Sequence, residues 1–254
     1  MLREPTLQKL YAMKLSGMAG ALEEQNQQPE LFSLCFEDRL TFLVEREWES
    51  RKARKLKRRL HVAKIKQVGA CPENIDYRTP RGLDKNTMIH LLDCQWIPDH
   101  QNVIIVGPTG SGKSYIASAI AQKACRMDFS VRYERLSRLL QKIDLSHADG
   151  SNLKLMEKLN NTQLLILDDW GITSWTEEEA KYLFDVLEDR NGSASILIIS
   201  QIPLENWYDL IPNPTLADAI LDRLVHSSYK IELTGGSMRK KNGMADLDRI
   251  RPED

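Results

Sequence analysis

The sequence predicts an α/β protein, a parallel five-stranded sheet flanked by helices and preceded by a small all-helical N-terminal domain. Three observations carry that expectation. Short runs rich in Ile, Val and Leu alternate with helical stretches through the second half of the chain, the pattern of a parallel sheet covered on both faces. A glycine-rich stretch, Gly107-Pro108-Thr109-Gly110-Ser111-Gly112-Lys113-Ser114, joins one such run to a helical one. In the first 67 residues, by contrast, the apolar positions follow helical spacing.

Taken in order, Thr6 is a candidate N-cap, and Leu7, Leu10, Tyr11, Leu15 and Met18 form an amphipathic stripe that Gly17 and Gly20 are expected to interrupt or end. A second stripe runs through Leu31, Leu34, Leu40, Leu43 and Val44 toward Trp48. A third segment continues it, with Ala53, Leu56, Leu60 and Ala63 as a seam against the preceding helix. From Gly69 the run GACPENIDYRTPRGLDKN collects turn-forming residues and marks a linker. The expected organisation is therefore a helical basic domain at 1–68, a linker and approach to the core at 69–100, and the α/β core at 101–254. Strands are expected at Val103–Val106, Val131–Tyr133, Leu164–Leu167, Ile196–Ile199 and Tyr229–Leu233, with helices such as Tyr115–Met127 and Glu177–Asp189 between them.

With 254 residues, 42% hydrophobic and 28% charged, the chain is no collagen-like, mucin-like or wholly disordered protein. Four cysteines (Cys35, Cys71, Cys94, Cys125) without close pairing argue against a disulfide scaffold, and without a CxxC no zinc knuckle is implied. No apolar run approaches the ~20 residues that cross a bilayer, and the N-terminus lacks a signal-peptide pattern. A cytoplasmic protein without a membrane partner is the expectation. The net charge of −1 conceals an asymmetry: residues 1–70 carry 14 basic and 9 acidic side chains, the remainder 21 and 27. Only the front end invites polyanions.

The run from Gly107 to Ser114 satisfies GxxxxGK[ST] between a buried strand and a helix, the context that makes it a nucleoside-triphosphate cradle. Its glycines let successive N–H groups surround a phosphate. Lys113 adds a charge for the terminal phosphates, the Ser114 hydroxyl can ligate Mg²⁺, and Tyr115 follows at the helix start. Some 55 positions on, Leu164-Leu165-Ile166-Leu167-Asp168-Asp169 is an apolar strand ending in acids. Asp168 is expected to hold Mg²⁺, usually through water, and Asp169 to orient or deprotonate the attacking water. Asp169 stands where many such ATPases use Glu, which puts the hydrolysis rate in doubt more than binding. Gln201, or Ser200 beside it, closes the strand Ile196–Ile199 and is a candidate γ-phosphate sensor or water-positioning group. An ordinary strand-to-loop exit is the alternative.

With these motifs and the ending LADAILDRLVHSSYKIELTGGSMRK, the chain resembles the IstB-type ATPases of insertion sequences. These are AAA+ proteins related to the DnaC and DnaI helicase loaders. The resemblance also covers the N-terminal helices, DYRTPRGLDK, LILDDWG and SQIPLENWYDLIP. It implies a P-loop AAA+ domain that hydrolyses ATP with Mg²⁺. It further implies that Arg223, in DAILDRL, is an arginine finger inserted by a neighbouring subunit, and that Arg239, in GSMR, is a second sensor. Arg190, after FDVLED, is a weaker alternative for the intersubunit role. Only 21 residues follow Leu233, too few for a four-helix lid at about 11 residues per helix, so a vestigial lid is expected.

Between Ser50 and Pro72 there is no acid, and Arg51–Lys66 holds nine cations. Arg51, Lys52, Arg54, Lys55, Arg58 and Arg59 are the expected DNA contacts, a single-signed face without i,i+4 salt bridges suited to the phosphates of duplex DNA regardless of sequence. The combined expectation is an ATP-dependent transposition helper. It would form a homo-oligomer, ring or spiral, on target duplex DNA, recruit and stimulate the transposase of its insertion sequence, and disassemble on hydrolysis. A DnaC-like helicase-loading adaptor is the alternative, and would favour single strands.

Overall fold

The computed structural model describes residues 3–226 and 228–238. The chain divides into two compact units, Met1–Arg59 and Leu60–Asp254.

The first unit holds α1 (Arg3–Ala12), α2 (Ser16–Gln27) and most of α3 (Phe36–Ala63), whose residues from Leu60 on belong to the second. No glycine or proline interrupts the chain from Phe36 to Ala63, so the two segments expected there form one helix of 28 residues. Gly17, expected to break a helix, instead lies in the first turn of α2 and lets that helix approach α3. A Cβ at this position would stand 2.6 Å from the Arg46 carbonyl oxygen and 2.9 Å from Ser50 Cβ. At the far end of α2, Gln25 Nε2 donates to the Arg39 carbonyl at 3.0 Å, so the two helices run antiparallel.

Glu47 locks this packing. It is buried and accepts hydrogen bonds from the Gly17 and Met18 N–H groups at 2.8 and 3.2 Å, which α2 itself cannot satisfy. Arg51 and Arg54 pair with its other oxygen at 2.7 and 3.2 Å. Burial works against the Glu47 carboxylate, but Arg51 and the two amides outweigh it and hold its pKa below the ordinary value. The expected seam departs from this picture: Ala53 is exposed, Leu56 and Leu60 are half-buried, and only Ala63 is buried.

The second unit carries β1 (Asn102–Val106), β2 (Val131–Arg135), β3 (Leu164–Trp170), β4 (Ser195–Ser200) and β5 (Ser228–Glu232). They form one parallel sheet in the order β2-β3-β4-β1-β5. Every residue of β1 and β4 is buried, as continuous apolar strands covered on both faces must be. The surrounding helices are α4 (Lys85–Asp93), α5 (Lys113–Arg126), α6 (Leu136–Ala148), α7 (Asn152–Asn160), α8 (Glu177–Arg190) and α9 (Pro214–Val225). Thr176 and Glu179 start α8 with a reciprocal capping box. Asn213 caps α9 ahead of Pro214. Leu165, Leu167 and Ile198 pack with Leu139, Leu183 and Ile220 in the core, beside Trp170, whose ring lies 4.8 Å from Trp207 and 4.9 Å from Trp175.

Register sets up the site. Val106 pairs with Ser200 on one side and Glu232 on the other, and Arg135 pairs with Asp168. The C-terminal ends of the strands thus share one edge. Between Leu167 and Trp170 the β3–β4 register shifts, and Asp169 takes a left-handed φ of 64°. The irregularity turns two successive carboxylates toward that edge.

Removing the side chain in Glu47→Ala orphans the α2 amides, and hydrogen exchange at Gly17 and Met18 is expected to show opening easier by about 1–3 kcal/mol at neutral pH. The lowered pKa gives the sign. The contribution is present above the ordinary carboxylate value and fades as pH falls through the depressed one, so wild type and variant should converge in acid.

Candidate nucleotide-binding site

Beyond Val106 the chain turns sharply at Gly107, whose φ of 149° and closeness to Leu233 admit no side chain: a Cβ would lie 3.1 Å from the Leu233 carbonyl carbon. Gly112, at φ 99°, caps α5 with its α-carbon against the Arg81 guanidinium. These turns wrap the loop around the N-terminus of a 14-residue helix, where unpaired N–H groups and the helix dipole favour an anion. Lys113 is buried and folds back over the loop, donating to the Gly107 and Pro108 carbonyls at 2.5 and 2.8 Å. The Thr109 hydroxyl donates to Gln201 Oε1, joining the loop to the end of β4. Tyr115 follows, its hydroxyl 3.5 Å from the Asn74 carbonyl. From below, Arg81 donates to the Ser111 carbonyl at 3.0 Å and the Asp76 carbonyl at 2.9 Å; burial depresses its pKa, with Asp76 opposing.

Asp168 is 1% exposed. Its Oδ2 accepts from the Tyr133 hydroxyl at 2.7 Å and lies 2.5 Å from Lys66 Nζ and 3.4 Å from Ser114 Oγ. Its Oδ1 accepts from the Asp169 N–H at 2.9 Å. Burial, and then the Asp168 charge, push the Tyr133 phenol well up, so it remains a donor to the carboxylate. Asp169 faces Arg135, with 3.3 Å between Oδ2 and Nε.

The cavity between these groups measures about 360 Å³ and is lined by Lys66, Arg81, Thr109, Lys113, Asp168 and Gln201 among others. It has the size of a small-molecule site. The residues suit a triphosphate: the glycine turns form a cradle, and the buried Ser111 hydroxyl has no hydrogen-bond partner among the described residues. They also suit Mg²⁺, because Ser114 Oγ and Asp168 Oδ2 are adjacent hard oxygen donors.

The structure brings together Gly107, Pro108, Thr109, Gly110, Ser111, Gly112, Lys113, Ser114, Tyr115, Asp168, Asp169 and Gln201. Ser200 is buried, its hydroxyl donating to the Trp170 carbonyl at 3.0 Å, which leaves Gln201 as the group at the loop. Arg223 is elsewhere. Its carbonyl accepts from Asn102, the first residue of β1, at 3.1 Å, so it lies at the end of the strand opposite the loop. There it pairs with Glu188 and stacks 4.8 Å over the Phe184 ring. Arg239 lies outside the described residues, as does most of the expected vestigial lid. The preceding Met238 lines the cavity, and its N–H donates to the Gly110 carbonyl at 2.9 Å.

Three expectations need correction. Arg190 is not a surface arginine available to a neighbour: it is 1% exposed and donates to the Leu159 and Ser195 carbonyls at 2.5 and 2.8 Å. Burial lowers its pKa to about 10. The cationic face of α3 is not free of salt bridges, since Arg51 pairs with Glu47 at i,i+4 and Arg54 joins them. Arg51, Lys52, Arg54, Lys55 and Arg58 are nonetheless exposed and Arg59 half-buried. Finally, Lys66 belongs to the second unit, and its ammonium sits on Asp168 rather than with the α3 cations. Sequence reasoning missed Lys66, Arg81, Tyr133 and Arg135 as site residues. Only Arg135 and Tyr133 left a signal, the end of the strand that neighbours β3.

Fold and site together define a P-loop nucleotide-binding protein of the AAA+ class. Residues 8–245 match the family of IstB-like ATP-binding proteins, and the chain belongs to that family. A Sinorhizobium fredii protein named for ATP binding and an insertion sequence is 46% identical over 240 residues, covering 94% of this chain and 98% of its own. A Pseudomonas fluorescens protein named likewise, for insertion sequence IS1162, is 39% identical over 203 residues, covering 80% and 88%. Among solved structures, DnaI shares the fold with a TM-score of 0.57 at 18% identity, over 65% of this chain and 92% of that one. The DnaC helicase loader does so with a TM-score of 0.54 at 14% identity, over 65% and 96%. Among the described residues no helix is long and apolar enough to cross a membrane.

Proposed function

We propose that this protein is an ATP-dependent transposition helper: it multimerises on target duplex DNA, recruits and stimulates the transposase of its insertion sequence, and is released when ATP is hydrolysed. The observation that carries the reading is the pair of adjacent carboxylates, Asp168 and Asp169, at the mouth of the glycine cradle. One is suited to a metal and the other to water. The insertion-sequence names of relatives support the biological setting.

The loop amides and Lys113 bind the triphosphate, for which Lys113 must leave the Gly107 and Pro108 carbonyls. Mg²⁺, when held by Ser114 and Asp168, would offset the charge on the β- and γ-phosphates. Asp169 accepts the proton of the attacking water once Arg135 releases it. Gln201 orients that water or senses the γ-phosphate from its bond to Thr109. Arg223, remote from the cradle of its own protomer, acts on the cradle of a neighbour, and Arg239 serves as the second sensor. Catalysis by a guanidinium in trans makes hydrolysis depend on assembly. The exposed cations of α3 meet DNA phosphates, so binding should be sequence-independent and weaken steeply with salt. Several such subunits on one duplex turn modest contacts into tight binding.

Two experiments test this. Asp169→Asn should keep nucleotide binding and DNA-dependent assembly while slowing hydrolysis by about 10²-fold or more; lost assembly with unchanged turnover contradicts the role. Changing Arg54, Lys55, Arg58 and Arg59 together to Glu should abolish duplex binding and leave nucleotide affinity intact. Unaltered duplex affinity at low salt would remove α3 from the DNA surface, and a wild-type preference for single strands would favour the helicase-loading alternative.

A further inference from the structure

The contact between Lys66 and Asp168 has no place in the hydrolytic scheme. Lys66 Nζ lies 2.5 Å from Asp168 Oδ2, the oxygen that also faces Ser114 Oγ at 3.4 Å. We propose that Lys66 is a tethered counter-cation of the metal-binding carboxylate, which a divalent cation must displace to reach Asp168. The inference rests on the reading of Asp168 as a metal ligand.

The lysine is held in place by its own segment. Helix α3 stops at Lys64, which takes a left-handed φ of 52°, and Ala63, Ile65 and Ala70 are all buried on either side of Lys66. These buried neighbours anchor the segment on both sides of Lys66. Its side chain is 27% exposed, whereas that of Asp168 is 1% exposed, so the ammonium has a route to water that the carboxylate lacks. Leaving a buried carboxylate without a cation is costly, and Tyr133 supplies a hydrogen bond but no charge. Lys66 therefore stabilises Asp168 in place. The ammonium is in contact with Oδ2, the same oxygen that a divalent ion held by Asp168 and Ser114 would use, so the two compete, and displacement lowers the apparent metal affinity. Lys66 lines the same cavity as Lys113 and Thr109. A bound triphosphate thus offers the displaced ammonium a new anion, which makes metal binding stronger with nucleotide than without it.

The test is a Mn²⁺ titration of the full-length, nucleotide-free protein followed by electron paramagnetic resonance. Lys66→Gln should bind Mn²⁺ about fivefold more tightly than wild type, the effect of removing a partly screened ion pair. Lys66→Arg, which keeps the cation, should stay near wild type. Equal or weaker Mn²⁺ binding by Lys66→Gln, with unchanged far-ultraviolet circular dichroism, overturns the proposal. Asp168→Asn provides the separate control and should lose the site in either background. If it retains Mn²⁺, the assignment of Asp168 itself fails, and the inference with it.

Discussion

A carboxylate buried at the end of a strand is the constraint around which the second unit is arranged. Asp168 is cut off from water, and in that environment an ionised group persists only with donors and cations around it. Four parts of the chain supply them: Tyr133 from β2, Lys66 from the segment after α3, Ser114 from the start of α5, and the Asp169 N–H of its own strand. The register shift in β3 and the parallel order of the sheet bring these to one edge. The glycine loop meets the same edge because β1 lies beside β4, which lies beside β3. Under the proposed function, nucleotide chemistry would then be a matter of exchanging partners, with phosphates and metal taking over groups that the protein already holds against one another.

That exchange gives the site several points of control. Lys113 on loop carbonyls, Lys66 on Asp168 and Arg135 on Asp169 are each contacts that the proposed function requires to break. Arg223, which Asn102 and Glu188 keep at the far end of the sheet, would add an external condition under the proposed function. The buried Arg190 serves the opposite purpose. It fastens the ends of α7 and β4 through two carbonyls, and its value lies in not moving.

Much of the fold could be read from local pattern. Three strands stand out through the apolar runs Val103–Val106, Leu164–Leu167 and Ile196–Ile199, β2 and β5 less so because Arg132, Lys230 and Glu232 interrupt them, and the cradle stands out because its glycines, lysine and serine are contiguous. Strand ends were harder. Asp168 and Asp169 carry β3 on to Trp170 although Asp is depleted in strands. Gly17 shows the limit of local reading, since a glycine that ends a helix and one that lets two helices touch look alike in sequence. The α3 cations were legible as a charge run, whereas the bonds from Arg51 and Arg54 to Glu47 depend on a carboxylate fixed by α2. The partners of the two carboxylates were the least legible. Lys66 and Asp168 are 102 positions apart, and nothing in either neighbourhood names the other.

The central claim is that one triphosphate, held by the cradle of one subunit and met by the arginine of the next, binds copies of the chain together along duplex DNA. Sedimentation velocity with a non-hydrolysable ATP analogue and a long duplex tests this most directly. The account predicts DNA-bound assemblies of several subunits that require the analogue and revert to smaller species in its absence. Monomers at saturating nucleotide and excess duplex would contradict it.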